Sequence, residues 1–125
     1  MHQTCPFSVD AILTLEAGAL GAAILEPSGQ QARILAEFVQ PDNWISSLHR
    51  SVAEAIRRLV ARECLPLEYA SVIGELQGMG VLQSYTNGWA LISSLGEGVV
   101  WARPMTRRIA ELRSAWKRHR EEKAK

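Results

Sequence analysis

Cysteine is scarce in this 125-residue chain: Cys5 and Cys64 lie far apart and form no C-x-x-C pair. That excludes a disulfide framework and a thiolate zinc site, and a reducing cytosol is the expected compartment. The three histidines, His2, His49 and His119, share no metal-ligand spacing, and His49 reads as a surface residue of a long helix. Neither a metal nor a cofactor is implied. Gly74, Gly78 and Gly80 lack the Lys-Ser/Thr of a phosphate loop, and Gly18 and Gly21 do not complete a G-x-G-x-x-G fingerprint. With no G-x-S-x-G elbow either, the chain is not expected to be an enzyme. Long apolar runs are missing too. Asp10 and Glu16 interrupt the stretch 9–25 and Glu26-Pro27 ends it, so neither a secretory signal nor a membrane span is expected.

Between 67 and 80 there is no lysine or arginine. Positive charge gathers instead at residues 103–125, which carry nine basic against three acidic residues, while the remainder is acidic overall. An acidic body with a basic tail attracts polyanions through the tail, and a solvated terminal helix shows the same pattern.

The apolar residues that are present recur mostly at helical spacing. Residues 9–26 predict a helix capped by Ser8, with Ile12, Leu13, Leu20, Ile24 and Leu25 on its apolar side; a hairpin of 12–16 against 22–26 competes, because Gly18 and Gly21 weaken a helix. A second helix is expected over 30–39 behind Ser28, ended by Pro41. A third is expected from Asp42 to Glu63, with Trp44, Ile45, Leu48, Val52, Ala55, Ile56, Leu59 and Val60 at three- and four-residue intervals. Pro66 breaks it, a fourth helix follows over 67–78, and Gly80 is placed to end that one in a left-handed turn.

Asn87-Gly88 between the apolar runs 81–85 and 89–93 predicts a β-hairpin, and Ser94 with Glu97 fits a capping box that would return the chain to helix. Helix, break, short helix, hairpin and helix are the parts of a winged helix-turn-helix. Over about residues 50–102 the chain resembles winged-helix regulators of the MarR and HxlR type, through Leu76-Gln77-Gly78-Met79-Gly80-Val81-Leu82 and the segment Ile92-Ser93-Ser94-Leu95-Gly96. The resemblance implies a mainly α fold with a two-stranded β wing and flanking terminal helices in one domain: N-terminal helices over 1–41, a winged-helix core over 42–102 and a basic helix over 103–125. It also implies a homodimeric transcriptional regulator whose fourth helix enters the major groove of double-stranded DNA. Cys5-Pro6 matches a dipeptide of redox-sensing relatives, but the following residues do not continue that pattern.

Two functions follow, each with its own residues. A DNA-binding regulator would use Arg57, Arg58, Arg62, Glu68, Ser71, Gln77, Asn87, Arg107 and Arg108. The outward side of the fourth helix, however, presents Glu68 and Glu75, which oppose a polyanion. Ala70, Gly74 and Gly78 on that side leave room for a partner helix or for the chain's own N-terminal helix. The alternative is therefore a protein-interaction module, a subunit or adaptor of a larger assembly that reads no DNA bases. In it Ala70, Gly74 and Gly78 dock a partner, and the seam Met105, Ile109, Leu112 and Trp116 pairs helices, with a homodimer as one outcome.

Overall fold

The computed structural model describes residues 9–85, 87–97 and 103–124; Cys5, the Ser8 cap and Thr86 of the expected turn lie outside them. Among these described residues six α-helices follow one another: α1 (Val9–Leu25), α2 (Gln30–Phe38), α3 (Ser47–Ala61), α4 (Tyr69–Gly78), α5 (Gly88–Ser93) and α6 (Met105–Lys123). Short 3-10 turns occupy Pro41–Asn43, Leu82–Ser84 and Ser94–Gly96. Among the described residues no helix is long and apolar enough to cross a membrane.

Helix α1 is the axis of the core, packed against α2, α3, α4, α6 and the Ser94–Gly96 turn. Ile12, Glu16, Ala19, Leu20, Gly21, Ala22, Ala23 and Ile24 are all buried, so it is enclosed on most of its circumference rather than along one stripe. Its alanines and Gly21 are the reason: small side chains let neighbouring backbone come close, and the burial compensates for poor helix propensity at glycine. The hairpin alternative for this stretch is not realised. Leu25, assigned to its apolar side, is exposed.

The expected β wing is absent: among the described residues there is no strand, and the winged helix-turn-helix is overturned with it. The Asn-Gly signal is half used. Asn87 adopts the left-handed conformation (φ 60°, ψ 38°), but Gly88 has no positive φ, whereas a two-residue hairpin turn of this kind needs both. Asn87 therefore starts a helix instead of reversing a strand. Burial shows why the helix wins: Gly88, Ile92 and Leu95 are buried at intervals of four and three while Leu91 is exposed, a helical rather than an alternating register. The side chain of Trp89, expected to cover the core, lies outside the described residues. The Ser94/Glu97 capping box does not form either, since the Ser94 hydroxyl donates back to the Leu91 carbonyl (2.9 Å).

Helix α3 begins at Ser47, not at Asp42. Ser46 caps it, accepting the His49 amide at 3.2 Å. Its other end closes through Cys64 N to Leu59 O (2.9 Å) and Glu63 N to Val60 O (2.9 Å), which forces Glu63 to φ 59°. A residue with a Cβ is strained there. Glu63→Gly is expected to raise stability by about 0.5–1 kcal/mol, read as a higher urea midpoint at unchanged slope; a lowered midpoint would contradict the strain. Helix α4 ends by the same motif as expected, with Gly80 at φ 73° and Val81 N donating to Leu76 O at 3.1 Å.

Candidate functional site

Helix α4 turns Val72, Ile73 and Leu76 into the core, all buried, where they meet α3. At its start the Glu68 amide donates to Ser71 Oγ (3.1 Å), whose hydroxyl donates to the Glu68 carbonyl (2.8 Å). Both residues expected to contact DNA there are engaged in ordering the helix. The opposite side presents Ala70, Gly74 and Gly78, all exposed. A Cβ built on Gly74 or Gly78 would meet no described residue within 4 Å. The chain's own N-terminal helix does not fill this face: Gly18 lies against Arg108 and Gly21 against Leu95 and Gly96. Among the described residues nothing covers the two glycines of the row.

From Gln77 a concavity of about 620 Å³ extends beside that row, lined by Leu82, Gln83, Tyr85, Asn87 and Ala90. Its described lining carries no charge. Glutamine and asparagine amides both donate and accept hydrogen bonds. Tyr85 is held in place by a 2.8 Å hydrogen bond between its hydroxyl and that of Ser47.

The α3 arginines offered for phosphate contacts are exposed but already paired. Arg57 donates to Glu54 from Nε at 3.1 Å and from Nη2; Arg58 reaches the same carboxylate from Nε at 3.1 Å; Arg62 is hydrogen-bonded to Glu75 of α4. Hydrogen bonding from Arg57 holds the Glu54 carboxyl below its ordinary value, and Arg62 does the same to Glu75. Such exposed pairs contribute little stability, yet the two carboxylates offset most of the charge of the three arginines. No family model matches the chain, and no curated protein is significantly similar to it.

The remaining sequence assignments separate. Arg107 is exposed, 3.9 Å from Glu111, whereas Arg108 is buried beside α1, where burial and the like charge of Arg103 draw its pKa down against the opposing pull of Glu111. A buried guanidinium is not a phosphate contact. Met105, Ile109, Leu112 and Trp116 are buried as well, in the chain's own core where α6 packs on α1, so the expected pairing seam is consumed internally.

What the sequence pattern hid is a buried polar knot. Glu16, fully buried on α1, accepts from His49 Nδ1 (2.7 Å), from the Ile45 amide (2.8 Å) and from Trp116 Nε1 (2.8 Å), with the Ser46 amide at 3.4 Å. Trp44 meets Trp116 edge-on, centroids 5.2 Å apart. Burial by itself would raise the Glu16 carboxyl; the hydrogen bonds from His49, Ile45 and Trp116, together with the His49 charge, outweigh it and hold the pKa below 4.5. His49 is thus a buried partner and not a surface residue. The signal was a carboxylate in the middle of a largely apolar helix, which has to find donors once buried.

Proposed function

We propose that this chain is a helical protein-interaction domain, a subunit or adaptor of a larger assembly that reads no DNA bases. The observation that carries the reading is the open face of α4, where Gly74 and Gly78 are exposed with no described residue before them, and the adjacent Gln77 lines a concavity whose described residues carry no charge. Glycine within an exposed helix costs roughly 0.5–1 kcal/mol against alanine. Nothing inside the described chain requires it at 74, and close approach of a partner backbone supplies the reason. The absence of lysine and arginine from α4 and the pairing of Arg57, Arg58 and Arg62 with Glu54 and Glu75 favour this over the regulator reading. A second copy of the chain fits the description as one such partner. A reducing cytoplasm suits the exposed thiol of Cys64.

Substitution at Gly74 tests it without threatening the fold. Gly74→Ala is expected to raise stability by roughly 0.5–1 kcal/mol in urea unfolding. Gly74→Arg should leave the fold intact while abolishing the partner complex that wild type forms in crosslinking from its native host. If wild type instead binds random duplex DNA at low salt with a steep salt slope, and neutralising Arg57, Arg58 and Arg62 removes that binding, the interaction reading fails and the regulator reading replaces it.

A further inference from the structure

The last turns of α6 and the segment leading into α3 enclose a cleft of about 370 Å³ that the docking face does not include. Trp116, His119, Arg120 and Lys123 recur at three- and four-residue spacing, so one side of α6 points into it, and Arg50 reaches it from α3. Arg50 is fixed rather than free-swinging, because its Nη2 donates to the Trp44 carbonyl at 2.9 Å. Trp44 forms part of the wall, and its buried indole N–H has no acceptor among the described residues.

Charge distinguishes this place from the rest of the basic surface. Arg57, Arg58 and Arg62 are all bridged to carboxylates, while Arg50, Arg120 and Lys123 make no ion pair with any described residue. Asp42 is the one carboxylate among the described lining residues, against three permanent cations. Like charges gathered around a concavity focus a strong positive potential and attract a compact anion. Two guanidinium forks and one ammonium suit the tetrahedral oxygens of a phosphoryl group, with the forks binding in two-point fashion and the lysine acting as a point charge. Basic residues in the last turn of a helix are also favoured by its dipole. That effect does not explain Arg50, which lies in the first turn of α3, where the dipole disfavours a cation.

We propose that this cleft binds a phosphoryl group through Arg50, Arg120 and Lys123. The site shares no residue with the α4 face, so it stands or falls independently of the docking reading. Its test is a backbone-amide NMR titration of the full chain with inorganic pyrophosphate. Saturable shifts are expected at residues 42–50 and 116–123. In the double variant Arg120→Gln/Lys123→Gln, whose side chains are exposed and make no ion pair with any described residue, affinity should fall at least about tenfold. Lys117→Gln removes the same charge from the same helix outside the cleft and should change affinity little. Shifts that never saturate, or an equal loss in Lys117→Gln, would overturn the site in favour of diffuse attraction by α6. Competition by a single-stranded oligonucleotide separates the sources: displacement of pyrophosphate supports the site as a seat for a nucleic-acid phosphate, and its absence supports a small phosphorylated molecule.

Discussion

Glu16→Ala is expected to lower stability by about 3–5 kcal/mol, because it strips the acceptor from several buried or half-buried donors at once. The His49 ring, the Ile45 amide and the Trp116 indole all converge on that one carboxylate. Three separate parts of the chain, α1, the entry to α3 and α6, would lose their common tie. For a chain of this size the loss corresponds to roughly 10–25 °C in Tm, visible by calorimetry, and it is a large share of the total stability of an ordinary domain. Glu16→Gln keeps the shape and one acceptor oxygen, so it should cost less, yet it turns an NH2 toward groups that are themselves donors.

The pH dependence has a definite sign. A carboxyl whose folded-state pKa lies below its ordinary 4.5 stabilises the fold fully above that value, and the contribution disappears as pH falls through the folded value. Wild type should therefore lose stability below about pH 4.5 more steeply than Glu16→Gln, in which the group no longer titrates. Equal Tm and parallel acid profiles for the two proteins would show that the knot holds nothing.

Gly21→Ala is the second large effect, and it sets one glycine against another. A Cβ at position 21 would lie 2.2 Å from the Leu95 carbonyl oxygen, 2.7 Å from its carbon and 2.8 Å from Gly96 Cα. All three are backbone atoms, so no rotamer change relieves the clash; the Ser94–Gly96 turn has to lift off α1. Overpacking of that kind costs about 3 kcal/mol. The same substitution at Gly74, before empty space, is expected to stabilise. At Gly18 the nearest atom is the flexible end of Arg108 at 3.2 Å, and the effect should be small. Urea unfolding of the three single variants gives the ordering directly, and a neutral Gly21→Ala would mean that the turn does not sit as closely as the geometry places it.

How much of this was legible in the sequence differs element by element. The amphipathic run through Val52, Ile56 and Leu59, the stop at Gly80 and the core side of α4 follow from periodicity and turn chemistry, and the structure contains them. The start of α3 was less legible. Asp42 is a good local cap, but the amides of Ile45 and Ser46 are taken by a carboxylate some 30 residues earlier, a contact that spacing does not reveal. The candidate face was half legible: Ala70, Gly74 and Gly78 show their spacing in the sequence, while whether α1 would cover them does not.

Residues 87–93 mark the boundary most clearly. Composition and local pattern by themselves determined a mainly helical chain with an acidic body, a basic C-terminal helix and an α4 devoid of positive charge, because these properties depend on residue identity and short-range geometry. Only the packed structure decided that Asn87 opens a helix instead of a hairpin, that Glu16 and His49 meet, and that the glycines of α1 are filled while those of α4 are open. Each of those outcomes depends on which distant surfaces compete for the same buried space, and that competition is resolved only when the whole chain closes around α1.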